Sequence, residues 1–458
     1  LLAVAPRMGD RADWALFHGA RALSRADHDD EAIASYQKLV ATRPASHWAP
    51  EAQYLSGWLL FNMGRYREAL PHLKKMGARY PTSQWANDAR WFLAFAHYRL
   101  GELALALPLF EALGHQADPL EGGKGRYWQA RTLDQLGHGA EATPIYRALV
   151  SRHPFSWYAL LARARLRERN LAVDPFGVAA GEPARAPAGA AIAESVDETL
   201  ARDPLMRAAD ELIGGGLPVE GALELRRGER AFLGRHPRPA ALAILLDRYA
   251  RARDWNRPWY LAITIGEEAL DRPARGRGRV WWQHAYPLAY HDLIEKHRAL
   301  GGNPPYWLES IMRKESGYDP HDLSYADAYG LLQMIPPTTR RVARALGIPY
   351  TSDMLWDPES NIRTGSWYIG RLLAKFKGQA PIGAGAFNSG PGPWMKWLDQ
   401  WGDRPMDEFI ELVPYRQTRE YAKKVTENYA RYLYLYDDVA YDQPLTIDRA
   451  YAVDDLTY

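Results

Sequence analysis

Apolar positions recur at helical spacing through most of this chain. In the stretch Tyr306 to Tyr318 (YWLESIMRKESGY), Leu308, Ile311 and Met312 stand at i, i+3 and i+4 of one stripe, and Glu315 falls at i+7 on the same stripe. Helical periodicity is also clear in residues 206–213, 240–250 and 259–270, with no strand-like alternation. The pattern predicts an all-α protein.

The first third carries an internal repeat. Asp27, Gly64, Gly101 and Gly137 are separated by 37, 37 and 36 residues, and each is preceded ten positions earlier by an aromatic: Phe17, Tyr54, Trp91 and Tyr127. Seven positions before each turn residue stands a small one (Ala20, Gly57, Ala94, Ala130), and five after it an alanine (Ala32, Ala69, Ala106, Ala142). Pro44, Pro81 and Pro154 close three of the four units. Small residues let paired helices approach and proline ends the second helix, so the period reads as a tetratricopeptide-like (TPR-like) helix-turn-helix solenoid over residues 1–170. Four units exceed the three or so needed to bury a continuous core.

From Leu171 to about Ser195 the chain turns to Ala, Gly and Pro, which reads as an irregular connection. Residues 171–280 are expected to hold this connection and linker helices. The segment Trp281 to Pro287 precedes a third region, 281–458, expected to fold by itself as an α-helical domain carrying the chemistry.

Composition narrows the function classes. With 458 residues, 47% apolar and 24% charged, the chain is a folded protein of two or three domains. A net charge of +2, from 57 basic and 55 acidic residues, gives no case for nucleic acid, and Arg226-Arg227 and the run Arg272 to Arg279 read as solvated faces or loops. No run of about 18 apolar residues exists to span a membrane. The opening Leu1 to Pro6 is too short for a signal segment, so such a segment is absent or already removed. Having no cysteine excludes disulfides, thiolate metal sites and a Cys nucleophile, and the 13 histidines show no HExxH spacing. No metal and no cofactor is expected.

Glu315 is the candidate for chemistry. A carboxyl on an apolar stripe loses hydration, which disfavours its charged form and moves its pKa from about 4.3 towards the roughly 6 to 7 that suits a general acid. The bland reading is a helix-end glutamate that reaches water or pairs with a buried arginine. What lies downstream favours the first. Ser324 to Pro336 (SYADAYGLLQMIP), Ala384 to Gly392 (AGAFNSGPG) and Pro414 to Tyr421 (PYRQTREY) follow Glu315-Ser316 in order within about 110 residues.

These segments resemble the ES, GLMQ, AYNAGPG and Pro-aromatic-x-Glu-Thr-Arg-x-Tyr motifs of the soluble lytic transglycosylases, whose catalytic domain is like goose-type lysozyme. The resemblance is specific for the last third of the chain. It implies a lysozyme-like domain over 281–458 with Glu315 catalytic, and substrate contacts from Ser324, Gln333, Met334, Phe387, Asn388, Gln417 and Tyr421. Three positions depart from the family pattern. Phe387 stands where tyrosine is frequent, Met334-Ile335 where an aliphatic residue and then Met follow the glutamine, and Gln417 where glutamate is usual. Asp327 replaces a residue that is usually glycine.

Glycosidases ordinarily pair two carboxylates. Asp319, Asp322 and Asp327 lie nearby but read as turn or cap residues. One acid is enough if the nucleophile comes from the substrate. The resemblance implies that Glu315 protonates the glycosidic oxygen between N-acetylmuramic acid and N-acetylglucosamine, then removes the muramyl C6 hydroxyl proton as a 1,6-anhydro ring closes. Ser324 and Gln333 would bond the sugar or orient Glu315, and Gly330, Gly390 and Gly392 would let backbone approach the glycan. Asn388, in a glycine-rich loop, would cap its own turn or bind substrate. Trp394, Trp397 and Trp401, at helical spacing, read first as packing. The expected partner is the peptidoglycan strand, with protein partners on the solenoid, and the expected location is the periplasm. The alternatives are a goose-type hydrolase of the same bond and a TPR-type scaffold without activity.

Overall fold

The computed structural model describes residues 1–3, 5–115, 119–176, 196–265, 270 and 278–454, with only the backbone for Pro6 and residues 119–122. Most of the Ala, Gly and Pro-rich connection, and of the arginine run after residue 271, lies outside the described residues. What is described is all-α. Extended backbone pairs there only in two isolated bridges, Leu323 with Tyr329 and Tyr329 with Met334. No described helix is long and apolar enough to cross a membrane. The chain forms two compact units, 1–149 and 150–458.

The first unit is a run of antiparallel helix pairs: Ala12–Arg25 with Asp29–Thr42, Ala49–Asn62 with Tyr66–Arg79, Ala86–Arg99 with Leu103–Gly114, and Pro119–Gln135 leading into Gly139–Arg152. The turn residues do what the period required. Asp27, Gly64, Gly101 and Gly137 take φ of 60°, 75°, 73° and 81°, the left-handed conformation that ends a helix and reverses the chain. Ala20, Ala94, Ala130 and the alanines five after each turn are wholly buried, and a Cβ on Gly57 would sit 2.7 Å from the Leu73 side chain. A further position of the same 37-residue period becomes visible. Trp48 and Trp85, four residues after Pro44 and Pro81, stack on Phe17 and Tyr54 of the first helix in the preceding pair at centroid distances of 4.6 and 5.1 Å. At these two junctions one repeat hands an aromatic to its neighbour, which adds to the apolar burial between them.

The second unit begins with the Trp157–Glu168 helix, capped by Ser156, whose Oγ accepts from the Ala159 amide at 3.2 Å. By sequence this helix sits with the repeats. In the structure its polar ends reach residues some 250 positions away. The Trp157 amide donates to Glu427 at 2.8 Å, the Tyr158 hydroxyl to Glu411 at 2.8 Å, and Arg165 pairs with buried Asp407 at 2.6 Å. One apolar core runs through Phe155, Phe232, Leu245, Tyr249, Leu261, Trp281, Trp282, Tyr432 and Tyr434. This core includes residues on both sides of position 281.

The spine of this unit is its last long helix, Arg416–Asp437, which buries Thr418, Tyr421, Val425, Asn428, Tyr432 and Leu435. Trp307–Glu315 and Ala380–Ser389 both pack against it. Glycine also lets the Pro391–Trp401 helix pack onto Ala380–Ser389. At Gly385 a Cβ would overlap the Trp394 ring. Trp394 and Trp397 are buried, so the tryptophan cluster is packing, as its spacing suggested.

Candidate active site

Glu315 is the last residue of the Trp307–Glu315 helix, whose Leu308, Ile311 and Met312 are buried as the stripe predicts. The turn that follows is fixed on several sides. Gly317 has φ 55° with the Trp259 ring lying where a Cβ would be, and its carbonyl accepts from Asn256 Nδ2 at 3.0 Å. Tyr318 meets the Tyr432 hydroxyl at 2.7 Å, and Tyr432 in turn donates to the Pro287 carbonyl at 2.8 Å. Since a phenol has one proton, Tyr318 is the donor in that pair. The Ser316 hydroxyl donates to the Leu331 carbonyl at 2.8 Å and accepts from the Tyr318 amide at 3.1 Å. Glu315 thus projects from a helix end that cannot fray.

Its carboxyl is half-buried, and the Tyr421 hydroxyl donates to Oε1. Burial is the largest influence on its protonation and pushes the pKa up to about 7, with the charge of Asp322 adding in the same direction. The Tyr421 hydrogen bond and the Lys314 charge pull the other way. Tyr421 itself is 3% exposed and held well above its ordinary 10, so it stays a donor throughout the working range. A carboxyl that is part protonated near neutrality, with a fixed donor on one oxygen, is equipped both to give and to take a proton.

The other candidates fall into distinct settings. Ser324 Oγ accepts from the amides of Ala326 and Ala328 at 3.2 and 3.1 Å, closing its own turn while its proton stays available. Gln333 has φ 45°, and its Nε2 is committed to the carbonyls of Asp322 and Gly330, both at 3.0 Å, which leaves its Oε1 as the end free to meet a sugar. Met334 is 1% exposed while Ile335 is 40% exposed. The structure therefore turns Met334 into the core, and Ile335 is the member of that pair that meets solvent. Gln417 is exposed in the first turn of the Arg416–Asp437 helix.

Two expectations need correction. Asn388 is not in a glycine-rich loop. The segment stays helical to Ser389, and the break is confined to Gly390 at φ 83° before the Pro391–Trp401 helix begins. Asn388 Oδ1 accepts from Thr418 Oγ1 at 2.9 Å, joining two motifs instead of capping its own turn. Phe387, beside it, is half-buried and tilted against Tyr368 at 5.9 Å. Gly330, expected to admit glycan, is needed by the protein itself. At φ 69° its Cβ would overlap the Leu355 carbonyl and lie 2.9 Å from Asn361 Nδ2.

Sequence reasoning missed three residues. Thr418 and Ser316 lie inside the quoted motifs, where a hydroxyl next to the acid or near Tyr421 was the available signal. Asn361 had none. It stands in the first turn of the Pro358–Lys375 helix, in a segment that reads as ordinary amphipathic helix. Among the carboxylates near Glu315, Asp319 accepts from the His321 amide at 2.9 Å as a turn residue, and Asp327 is exposed at φ 55°. Asp322 is half-buried with its pKa raised, first by burial.

Fold and site together define a helical-repeat protein whose C-terminal part holds a half-buried carboxyl at a helix end, with its pKa raised to about 7 and a tyrosine hydroxyl bonded to it. Residues 292–410 match the family model described as transglycosylase SLT domain, and residues 14–46 and 51–83 match the tetratricopeptide repeat. The chain is a relative of the soluble lytic murein transglycosylases. It is 30% identical over 319 residues to the one from Escherichia coli K12, an alignment covering 68% of this chain and 44% of that protein. Membrane-bound lytic murein transglycosylase C of Actinobacillus pleuropneumoniae is 31% identical over 170 residues, covering 32% of this chain and 46% of that protein. The chain thus spans less than half the length of these relatives. In fold it is similar to an inactive glutamate-to-glutamine mutant of the lytic transglycosylase Slt from Pseudomonas aeruginosa, with TM-score 0.66 and 21% identity over 95% of this chain and 65% of that one. It is also similar to the 70 kDa soluble lytic transglycosylase of Escherichia coli, with TM-score 0.56 and 21% identity over 90% of this chain and 67% of that one.

Proposed function

We propose that the protein is a peptidoglycan lytic transglycosylase that cleaves the β-1,4 bond between N-acetylmuramic acid and N-acetylglucosamine with Glu315 as its single acid and base. The observation that carries this reading is the half-buried Glu315 carboxyl, raised to about 7 and bonded by Tyr421. In the first step its proton passes to the glycosidic oxygen and the C1–O bond breaks, leaving an oxocarbenium-like muramyl C1. In the second, the C6 hydroxyl oxygen bonds to C1 and its proton returns to Glu315, closing the 1,6-anhydro ring. Water is not consumed, so no second carboxylate is needed to activate it.

Asn388, Phe387 and the Gln333 Oε1 are assigned to substrate, Tyr421 to Glu315, and Ser324 to the turn that carries them with its hydroxyl facing glycan. The inactivation of a relative of the same fold by one glutamate-to-glutamine change supports a single essential carboxyl. We assign the activity to residues within 281–458, the location to the periplasm where murein lies, and the solenoid to contacts with protein or glycan. Digestion of purified sacculi followed by mass spectrometry tests the reading. Anhydro-muramyl ends are expected. Reducing ends would instead identify a goose-type hydrolase, and no product at all a scaffold.

A further inference from the structure

We infer that Asn361 is a positioning residue for this reaction, one that sets the backbone of residues 329–332 and through it both Gln333 and the Glu315 helix end. The inference rests on the transglycosylase reading above. Asn361 is 1% exposed and uses its amide fully. Its Oδ1 accepts from the Leu332 amide at 2.9 Å, and its two Nδ2 hydrogens go to the carbonyls of Tyr329 at 3.0 Å and Leu355 at 2.9 Å. Within residues 329–332 the Tyr329 amide and carbonyl pair with Met334 and the Gly330 amide with Asp322, while the buried Leu332 amide bonds Asn361, whose Nδ2 adds a second donor to the Tyr329 carbonyl. Gly330 fits against Asn361 with no room for a Cβ.

From this strap two bonds lead to the chemistry. On one side Gly330 presents its carbonyl to Gln333 Nε2 at 3.0 Å, holding Gln333 in its left-handed conformation with φ 45°. On the other, the Leu331 carbonyl accepts from Ser316 Oγ at 2.8 Å, and Ser316 is covalently next to Glu315. Asn361 thus ties the substrate-facing glutamine and the acid to one rigid segment. General acid catalysis is sensitive to displacements of about 1 Å, so this anchoring is expected to appear in turnover as well as in stability.

The test uses the full chain, sacculus digestion kinetics and thermal melts of Asn361→Asp, Ser316→Ala and the double variant. Asn361→Asp keeps the shape but replaces two donors by an acceptor facing two carbonyls, and Asn361→Ser is the milder substitute if that variant does not fold. At a temperature well below each variant's own melting point, kcat is expected to fall about tenfold or more for either single change. The double variant is expected to lose little beyond the worse single, because both cut the same path. Losses that multiply, or a folded Asn361 variant within about twofold of wild type, overturn the proposal. So does wild-type kcat in Ser316→Ala, which leaves the Asn361 bonds intact, however the Asn361 variants fold. Glu315→Gln run alongside separates the two readings. If it digests as fast as wild type, the function is misassigned, whereas an inert Glu315→Gln beside an active Asn361→Asp removes only the positioning role.

Discussion

The Tyr421 hydroxyl donates a hydrogen bond to Oε1 of Glu315, across 106 residues of sequence. That bond favours the charged carboxylate, while burial favours the neutral acid. Burial prevails, leaving Glu315 at about 7.

Glu315→Gln should lower turnover at least a hundredfold, since the amide keeps shape but cannot transfer a proton. It should also stabilise the protein at alkaline pH. In the wild type the folded pKa of about 7 lies above the ordinary 4.5, so the unfolded chain releases the proton first and stability declines as pH rises between those values. Removing that penalty is expected to raise stability above pH 7 by about 1 to 3 kcal/mol, read as a higher melting temperature at pH 8 than wild type, with little difference at pH 4.

Tyr421→Phe deletes the bond that holds the Glu315 pKa down. The pKa should rise further, so the alkaline limb of the pH-rate profile, near 7 in the wild type, should move to higher pH. At the optimum kcat should fall about tenfold, the loss of one hydrogen bond worth ~1.4 kcal/mol. An alkaline limb that moves downward or stays fixed would show that Tyr421 does not set this acid.

Phe387→Tyr restores the hydroxyl frequent in the family. The ring is half-buried beside Tyr368, so the added oxygen has solvent within reach and the melting temperature should barely change. The rate should rise by no more than about tenfold, as one hydrogen bond allows. Loss of both rate and stability would mean that the pocket is shaped around phenylalanine.

Lys423→Met strikes the polar anchor behind the site. Lys423 Nζ donates to Glu411 at 2.8 Å and to the Tyr158 hydroxyl at 3.0 Å, all three buried, one helix turn from Thr418 and Tyr421. The variant leaves buried Glu411 with the more distant Arg419 at 3.9 Å as its facing cation, and weakening a buried ion pair in this way is expected to lower the melting temperature by several degrees. Calorimetry showing no change would place Glu411 in a wetter setting.

A fragment of residues 281–458 lacks Phe155, Tyr158 and Trp259, and with them the support for Gly317 and part of the shared core. It is expected to show no cooperative melt and no digestion, whereas residues 150–458 should do both. A folded, active 281–458 would contradict this.

Local rules made much of this legible. The 37-residue period set the helix pairs and their left-handed turns because each depends on residues within a few positions, and the stripe through Leu308 and Met312 fixed the face that Glu315 shares. What the chain brings together from afar was not legible. The sequence shows an acid on an apolar face. It does not show how far burial outweighs Tyr421, whether Asn388 caps itself or meets Thr418, or which of Met334 and Ile335 turns inward. Nor does it show that residues before and after position 281 share one core. Helix periodicity says which face is apolar but not what covers it, and Trp157, Tyr158 and Trp259 meet Glu427, Glu411 and Tyr318, all distant in sequence. Asn361 is the extreme case: its three bonds are to backbone groups, which carry no sequence signature, and the tertiary fold alone gives it a role.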